Sequence, residues 1–74
     1  MPRPEDILVL REANPFVPFH LRLSDGRTLC IENRDFVWVF KNRVHVAIPS
    51  GAGRPLDREE RVALMHIVSI EEPA

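Results

Sequence analysis

One alternating run, broken once and then resumed, constrains this chain more than anything else in it. Phe19, Leu21 and Leu23 alternate with His20 and Arg22, the period of a half-buried strand. Ser24-Asp25-Gly26 breaks the run, and Leu29 and Ile31 resume it. The pattern reads as a β-hairpin whose register follows from side-chain faces. A loop of only Asp25-Gly26 would set Leu21 against Cys30 and put the two apolar rows on opposite faces. A loop of Ser24-Asp25-Gly26 sets Leu21 against Leu29 and Phe19 against Ile31, so both rows share one face and burial selects it. Such a loop ends in a left-handed residue, which makes Gly26 the structural turn residue.

Seventy-four residues make a single small domain, 1–74, with room for one core. Apolar residues reach 45%, enough for a folded chain. The formal net charge of −1 gives no bulk basic character for non-specific nucleic-acid binding, though a local basic patch is compatible with it. Cys30 is the single cysteine and cannot form an internal disulfide, which suits a reducing cytoplasm. No run of about 18 apolar residues exists, so no membrane span is expected. The opening Met1-Pro2-Arg3-Pro4-Glu5-Asp6 lacks an apolar export segment. The expectation is a soluble, cytoplasmic protein of bacterial type.

Residues 4–13 read as a short helix. Pro4 suits a first helical turn, Glu5 and Asp6 favour the positive end of the dipole, and Asn14-Pro15 stops it. About ten residues of helix are marginal alone, so this one must dock through Ile7, Leu8 and Leu10. Strands are expected near 18–23, 28–33, 36–41, 43–48 and 62–70. Phe36-Val37-Trp38-Val39-Phe40 is apolar on both faces, which predicts a strand covered on both sides. Residues 49–55 form a glycine-containing flexible loop. Residues 57–66 are ambiguous. Asp57 and Glu60 resemble a capping box, yet the β-branched Ile67, Val68 and Ile70 crowd a helix. A short turn near 57–61 followed by one long strand is the favoured reading.

The fold class is mainly β: a short N-terminal helix followed by a five-stranded, strongly bent antiparallel small barrel. Its inward set is Leu21, Leu23, Leu29, Ile31, members of 36–40, Val44, Val46, Ile48 and part of 62–70. Below about 80 residues such a core supplies only a few kcal/mol. Self-association, or a protein partner, is therefore expected to add stability.

Two resemblances extend this reading. The run Pro15 to Arg27, of the form PFxPFxLxLSDGR, resembles a family of short uncharacterised bacterial proteins with valine-rich strands and an ending like His66-Ile67-Val68-Ser69-Ile70-Glu71. That resemblance carries no activity. The chain is also similar to the Sm-like fold, especially its bacterial RNA-chaperone branch. Leu21, Leu23, Gly26, Leu29, Ile31 and Asp35 match the first Sm motif in order. Residues 36–42 resemble the apolar strand ending in Lys-Asn, and His66, Val68 and Ser69 match part of the Tyr-Lys-His-Ala-Ile-Ser motif. The usual second-strand glycine is missing near Cys30-Ile31, Leu64 and Met65 replace Tyr and Lys, and the loop at 49–61 is longer. The resemblance implies an oligomeric RNA-binding ring. The lost lysine removes a phosphate or base contact.

The candidate nucleic-acid residues are Arg34, Phe36 and His66. His66 matches a base-contacting histidine of that branch, and its plain alternative is a strand histidine satisfied by backbone or solvent. Phe36 beside Arg34 could form a stacking platform with an adjacent cation, as single-strand binders use; otherwise it is a core aromatic. Trp38 and Phe40 read as core or interface residues. His20 and Cys30 lie opposite in the hairpin, but nothing completes a zinc set, so no metal and no cofactor is expected. No glycine loop cradles a phosphate, and no nucleophile–base pairing is recognisable. Asp35 and His66 could meet in space only as any small protein allows. Arginines such as Arg11, Arg22, Arg27, Arg34, Arg43 and Arg54 outnumber the sole lysine, Lys41, on a mixed surface. The expected function is that of a non-enzymatic module that associates with itself or another protein, with an RNA-binding ring as the alternative.

Overall fold

A computed structural model describes every residue except Ser50, Ala52, Pro73 and Ala74, so two members of the 49–55 loop lie outside the described residues. Strand β1, Phe19–Leu23, pairs antiparallel with β2, Thr28–Ile31. Leu21 faces Leu29 and Phe19 faces Ile31, the register that places both apolar rows on one side. Leu23 N–H donates to Arg27 O at 2.8 Å, which closes a three-residue loop, and Gly26 takes φ +92° there. The other side of the hairpin carries His20, Arg22, Thr28 and Cys30, none of them buried.

Helix α1 spans Pro4–Arg11 and is shorter than the 4–13 read from sequence. Asp6 accepts the Arg3 backbone N–H at 2.8 Å, which satisfies one free donor at the helix start. Ile7 is fully buried and Leu10 packs against the core, while Leu8 turns outward. Two arginines tie the helix to the chain that follows β2. Arg11 Nε donates to Val37 O at 2.8 Å, and Arg34 Nη2 donates to Ala13 O at 3.0 Å.

Strands β3 (Val37–Val39), β4 (Arg43–Ala47) and β5 (Glu59–Ala63) form a second antiparallel sheet. Phe40 N–H donates to Arg43 O at 2.8 Å around the two-residue turn Lys41-Asn42. Strand β6, Ile67–Glu71, leaves this sheet and pairs with β1 instead. Leu23 faces Ile67 and Arg22 faces Ser69, so Val68 is the extra residue of a β-bulge.

The five-stranded barrel is therefore corrected. Among the described residues six strands form two three-stranded sheets, ordered β2-β1-β6 and β3-β4-β5, and their hydrogen bonds do not close into one barrel. The single strand expected at 62–70 divides because Leu64–His66 forms a 3₁₀ turn. Leu64 is buried and its N–H donates to Asn42 O at 3.0 Å, so the turn is pinned to the β3–β4 connection before the chain crosses to the other sheet. The expectation that 36–40 is covered on both sides also fails. β3 is an edge strand: Val37 is buried, but Trp38 and Phe40 stand 43% and 39% exposed.

Between the sheets lies a core of Ile7, Phe19, Leu21, Leu23, Ile31, Val37, Val44, Val46, Val62, Leu64 and Ile67. Burying one such side chain contributes about 1.5–3 kcal/mol relative to exposure. No described helix is long and apolar enough to cross a membrane.

Candidate functional site

The sequence candidates are not brought together. Arg34 is committed to the fold: it bonds Ala13 O, just past the end of α1, and lies over the Phe16 ring at 5.7 Å from its centroid. A cation there also favours the negative end of the helix dipole. Phe36, half-buried, ends the 3₁₀ turn Arg34–Phe36, whose start is capped by Asn33 accepting the Asp35 N–H at 2.9 Å. His66 sits elsewhere, in the 64–66 turn. Its carbonyl accepts the Ser24 N–H at 2.8 Å, and its Nδ1 lies 3.4 Å from Ser24 Oγ. No hydrogen bond joins Asp35 to His66 among the described residues.

The Ser24–His66 contact is a nucleophile–base pairing that sequence reading missed, because 42 residues separate the two. Both side chains are exposed, and among the described residues no third group hydrogen-bonds the imidazole, as nucleophilic catalysis ordinarily requires. The pair borders a cleft of about 280 Å³ with Leu23, Arg27, Arg61 and Val62.

The hairpin tip on that cleft is held by charge. Arg27 N–H and Nε donate to the Asp25 carboxylate at 2.9 and 2.7 Å, and Arg27 Nη1 donates to Glu60 Oε1 at 2.7 Å. The Arg27 backbone N–H, and then its guanidinium, hold the Asp25 carboxyl below its ordinary value. The bonds to Glu60 and Asp25 raise Arg27 in turn. This ion pair links the first sheet to β5 of the second. Arg27 is thereby neutralised and not free to take an anion.

His20 faces Cys30 across β1 and β2 as expected. Burial, then the nearby Glu32 charge, push the Cys30 thiol up, away from the reactive thiolate. Among the described residues, no group of three or more His, Cys, Asp or Glu could hold a metal ion.

The outer face of the second sheet is different in kind. Register places Trp38, His45 and Arg61 in one row across three strands, with Phe40 and Arg43 in the next. The Arg43 guanidinium stands 4.4 Å over the Phe40 ring, and the Phe40 and His45 centroids are 4.5 Å apart. Arg43 Nε donates to His45 Nε2 at 3.1 Å, so that nitrogen is an acceptor and the ring proton lies on Nδ1, 4.0 Å from Glu59. Arg61 pairs with Glu59 at 3.0 Å. A cleft of about 280 Å³ opens beside Trp38, lined also by Ala47, Leu56 and Arg58. Sequence reading made Trp38 and Phe40 core or interface residues, and within the chain neither is core. The signal that could have found them is the turn at Lys41-Asn42 followed by the polar alternation of Arg43 and His45.

A third feature is apolar. Met1, Pro2, Pro4, Leu64 and Met65, with Arg3, Lys41 and Asn42 beside them, line a groove of about 430 Å³ where the start of α1 meets the 64–66 turn. Met1 and Met65 on its rim are 83% and 69% exposed. Comparison with known proteins finds no matching family model, no matching curated protein and no matching solved structure.

Proposed function

We infer that the chain is a non-enzymatic interaction module whose first partner is a second copy of itself, seated at the groove between α1 and the 64–66 turn. The exposed methionine rim of that apolar groove carries the reading. Methionine is flexible and polarisable, so it adapts to a partner surface, and exposed apolar clusters of this kind mark association sites. The core is small for an independent domain, and the outer edges of β2, β3, β5 and β6 have no strand partner among the described residues. Both add to the gain from pairing copies. Among the described residues no third group hydrogen-bonds the His66 ring, which favours a binding role over catalysis. The test is light scattering from low to high micromolar, beside Met65→Glu. The expected mass rises above the 8.5 kDa monomer, and the variant shifts association to higher concentration. A monomeric mass throughout would sink this reading.

An Sm-like RNA-binding ring in the cytoplasm is the second reading. One observation favours it: a short N-terminal helix precedes antiparallel strands, here six in two sheets where that fold has five. In one chain His66 and Phe36 occupy separate turns, so such a ring needs them to converge across subunits. Loss of RNA binding in His66→Ala is its signature.

A further inference from the structure

We propose that the outer face of the β3-β4-β5 sheet binds single-stranded nucleic acid, by stacking bases on Trp38 and Phe40 while Arg43 meets the backbone. The face is neither the apolar groove nor the His66 turn, so the inference stands apart from both readings above.

Four observations carry it. Trp38 and Phe40 sit exposed on one sheet face, two residues and about 7 Å apart, in β3 and just past its end, with the mostly buried His45 ring packed beside Phe40. That spacing presents two aromatic surfaces to successive unstacked bases, and stacking tolerates any base because each has a π-face. The rings alternate with guanidinium groups, which both stack and meet phosphate. Among the described residues Arg43 donates to neutral acceptors, His45 Nε2 and Asn42 Oδ1, and forms no ion pair. Around the rings, Arg43, Arg58 and Arg61, with Lys41 in the adjoining turn, outnumber the carboxylates of Asp57 and Glu59 on a chain whose net charge is −1. The local positive sign suits a polyanion, where a general apolar partner would need none. Finally, a cleft of about 280 Å³ opens directly beside Trp38, with Leu56, Asp57 and Arg58 in its lining.

Trp38 is the only tryptophan, so its fluorescence reports on this face directly. The full chain is titrated at low salt with short oligodeoxythymidine and oligouridine, with a duplex of equal length, and with polyglutamate. Single strands are expected to quench Trp38, while duplex and polyglutamate do not. Phe40→Ala, and Phe40→Leu as a variant that keeps apolar bulk, each weaken binding about fivefold or more. Arg43→Gln lowers the slope of log affinity against log salt by about 0.7. His66→Ala leaves affinity unchanged. Circular dichroism melts confirm that the variants are folded. No quenching at low salt would overturn the proposal. So would equal quenching by polyglutamate or duplex, or binding lost in His66→Ala and kept in both Phe40 variants.

Discussion

The two sheets share one inner face and differ on the outer one. Inside, both present aliphatic residues to a common core: Leu21, Leu23, Ile31 and Ile67 from one, Val37, Val44, Val46 and Val62 from the other. Outside, the first sheet shows His20, Arg22, Thr28, Cys30, Ser69 and Glu71, with Arg22 and Glu71 paired at 3.3 Å. The second shows Trp38, Phe40, Arg43, His45 and Arg61. Folding dictates the inner faces, because any sheet of this size must bury one side. Nothing in folding asks the second sheet to carry aromatic rings on its solvent side. The contrast separates what holds the chain together from what it presents to a partner.

The sharpest way to break that contrast is to remove a phenylalanine from each side. Phe19→Ala empties a fully buried site and is expected to cost about 3–5 kcal/mol, which leaves a domain this small largely unfolded. Phe40→Ala, outside, forfeits a cation–π contact and is expected to cost about 1 kcal/mol or less. Chemical denaturation reads both, and equal losses would mean that the outer face is structural after all.

Gly26→Val tests the hairpin tip that supports the first sheet. A Cβ there meets nothing within 4 Å, so the cost comes from φ +92° alone and should be about 1–3 kcal/mol. Gly26→Asn should lose less, since Asn tolerates positive φ better. Melting temperatures in the opposite order would refute the loop geometry. Arg34→Ala sharpens the contrast from another side. It removes one bond to Ala13 O, worth about 1 kcal/mol, so stability should fall while oligonucleotide affinity holds.

The smallest effect is with pH. Asp25 has its folded-state value depressed by Arg27, so its contribution is full above the unfolded carboxyl value, about 3.9, and is lost as pH falls through the lower folded value. Asp25→Asn should remove that part of the acid sensitivity and leave stability at pH 7 only slightly changed, because the pair is exposed. An identical acid titration of stability in both proteins would show that the pair contributes nothing.

Much of the fold was legible. The hairpin register could be read because two apolar rows must share one face. Val44 and Val46 read as inward for the same reason, and Pro4 and Asn14-Pro15 bracket the helix. The division of 62–70 was not legible, since Leu64-Met65-His66 contains no glycine, proline or other turn residue to announce a break. The turn exists because Leu64 is anchored in the core and bonded to Asn42, a tertiary fact. The outer platform was misread because apolar residues on both faces of 36–40 suggest a covered strand, and only sheet order shows β3 to be an edge. Arg34 looked available because its partners, Ala13 O and the Phe16 ring, lie about twenty residues earlier in the chain.

Acrylamide quenching of Trp38, followed across a concentration series with light scattering on the same samples, most directly tests whether the aromatic face is held open for a ligand while copies pair elsewhere. The expected result is a mass that grows with concentration while Trp38 stays equally accessible. Quenching that falls in step with rising mass would contradict it, because the aromatic face would then be the surface that pairs.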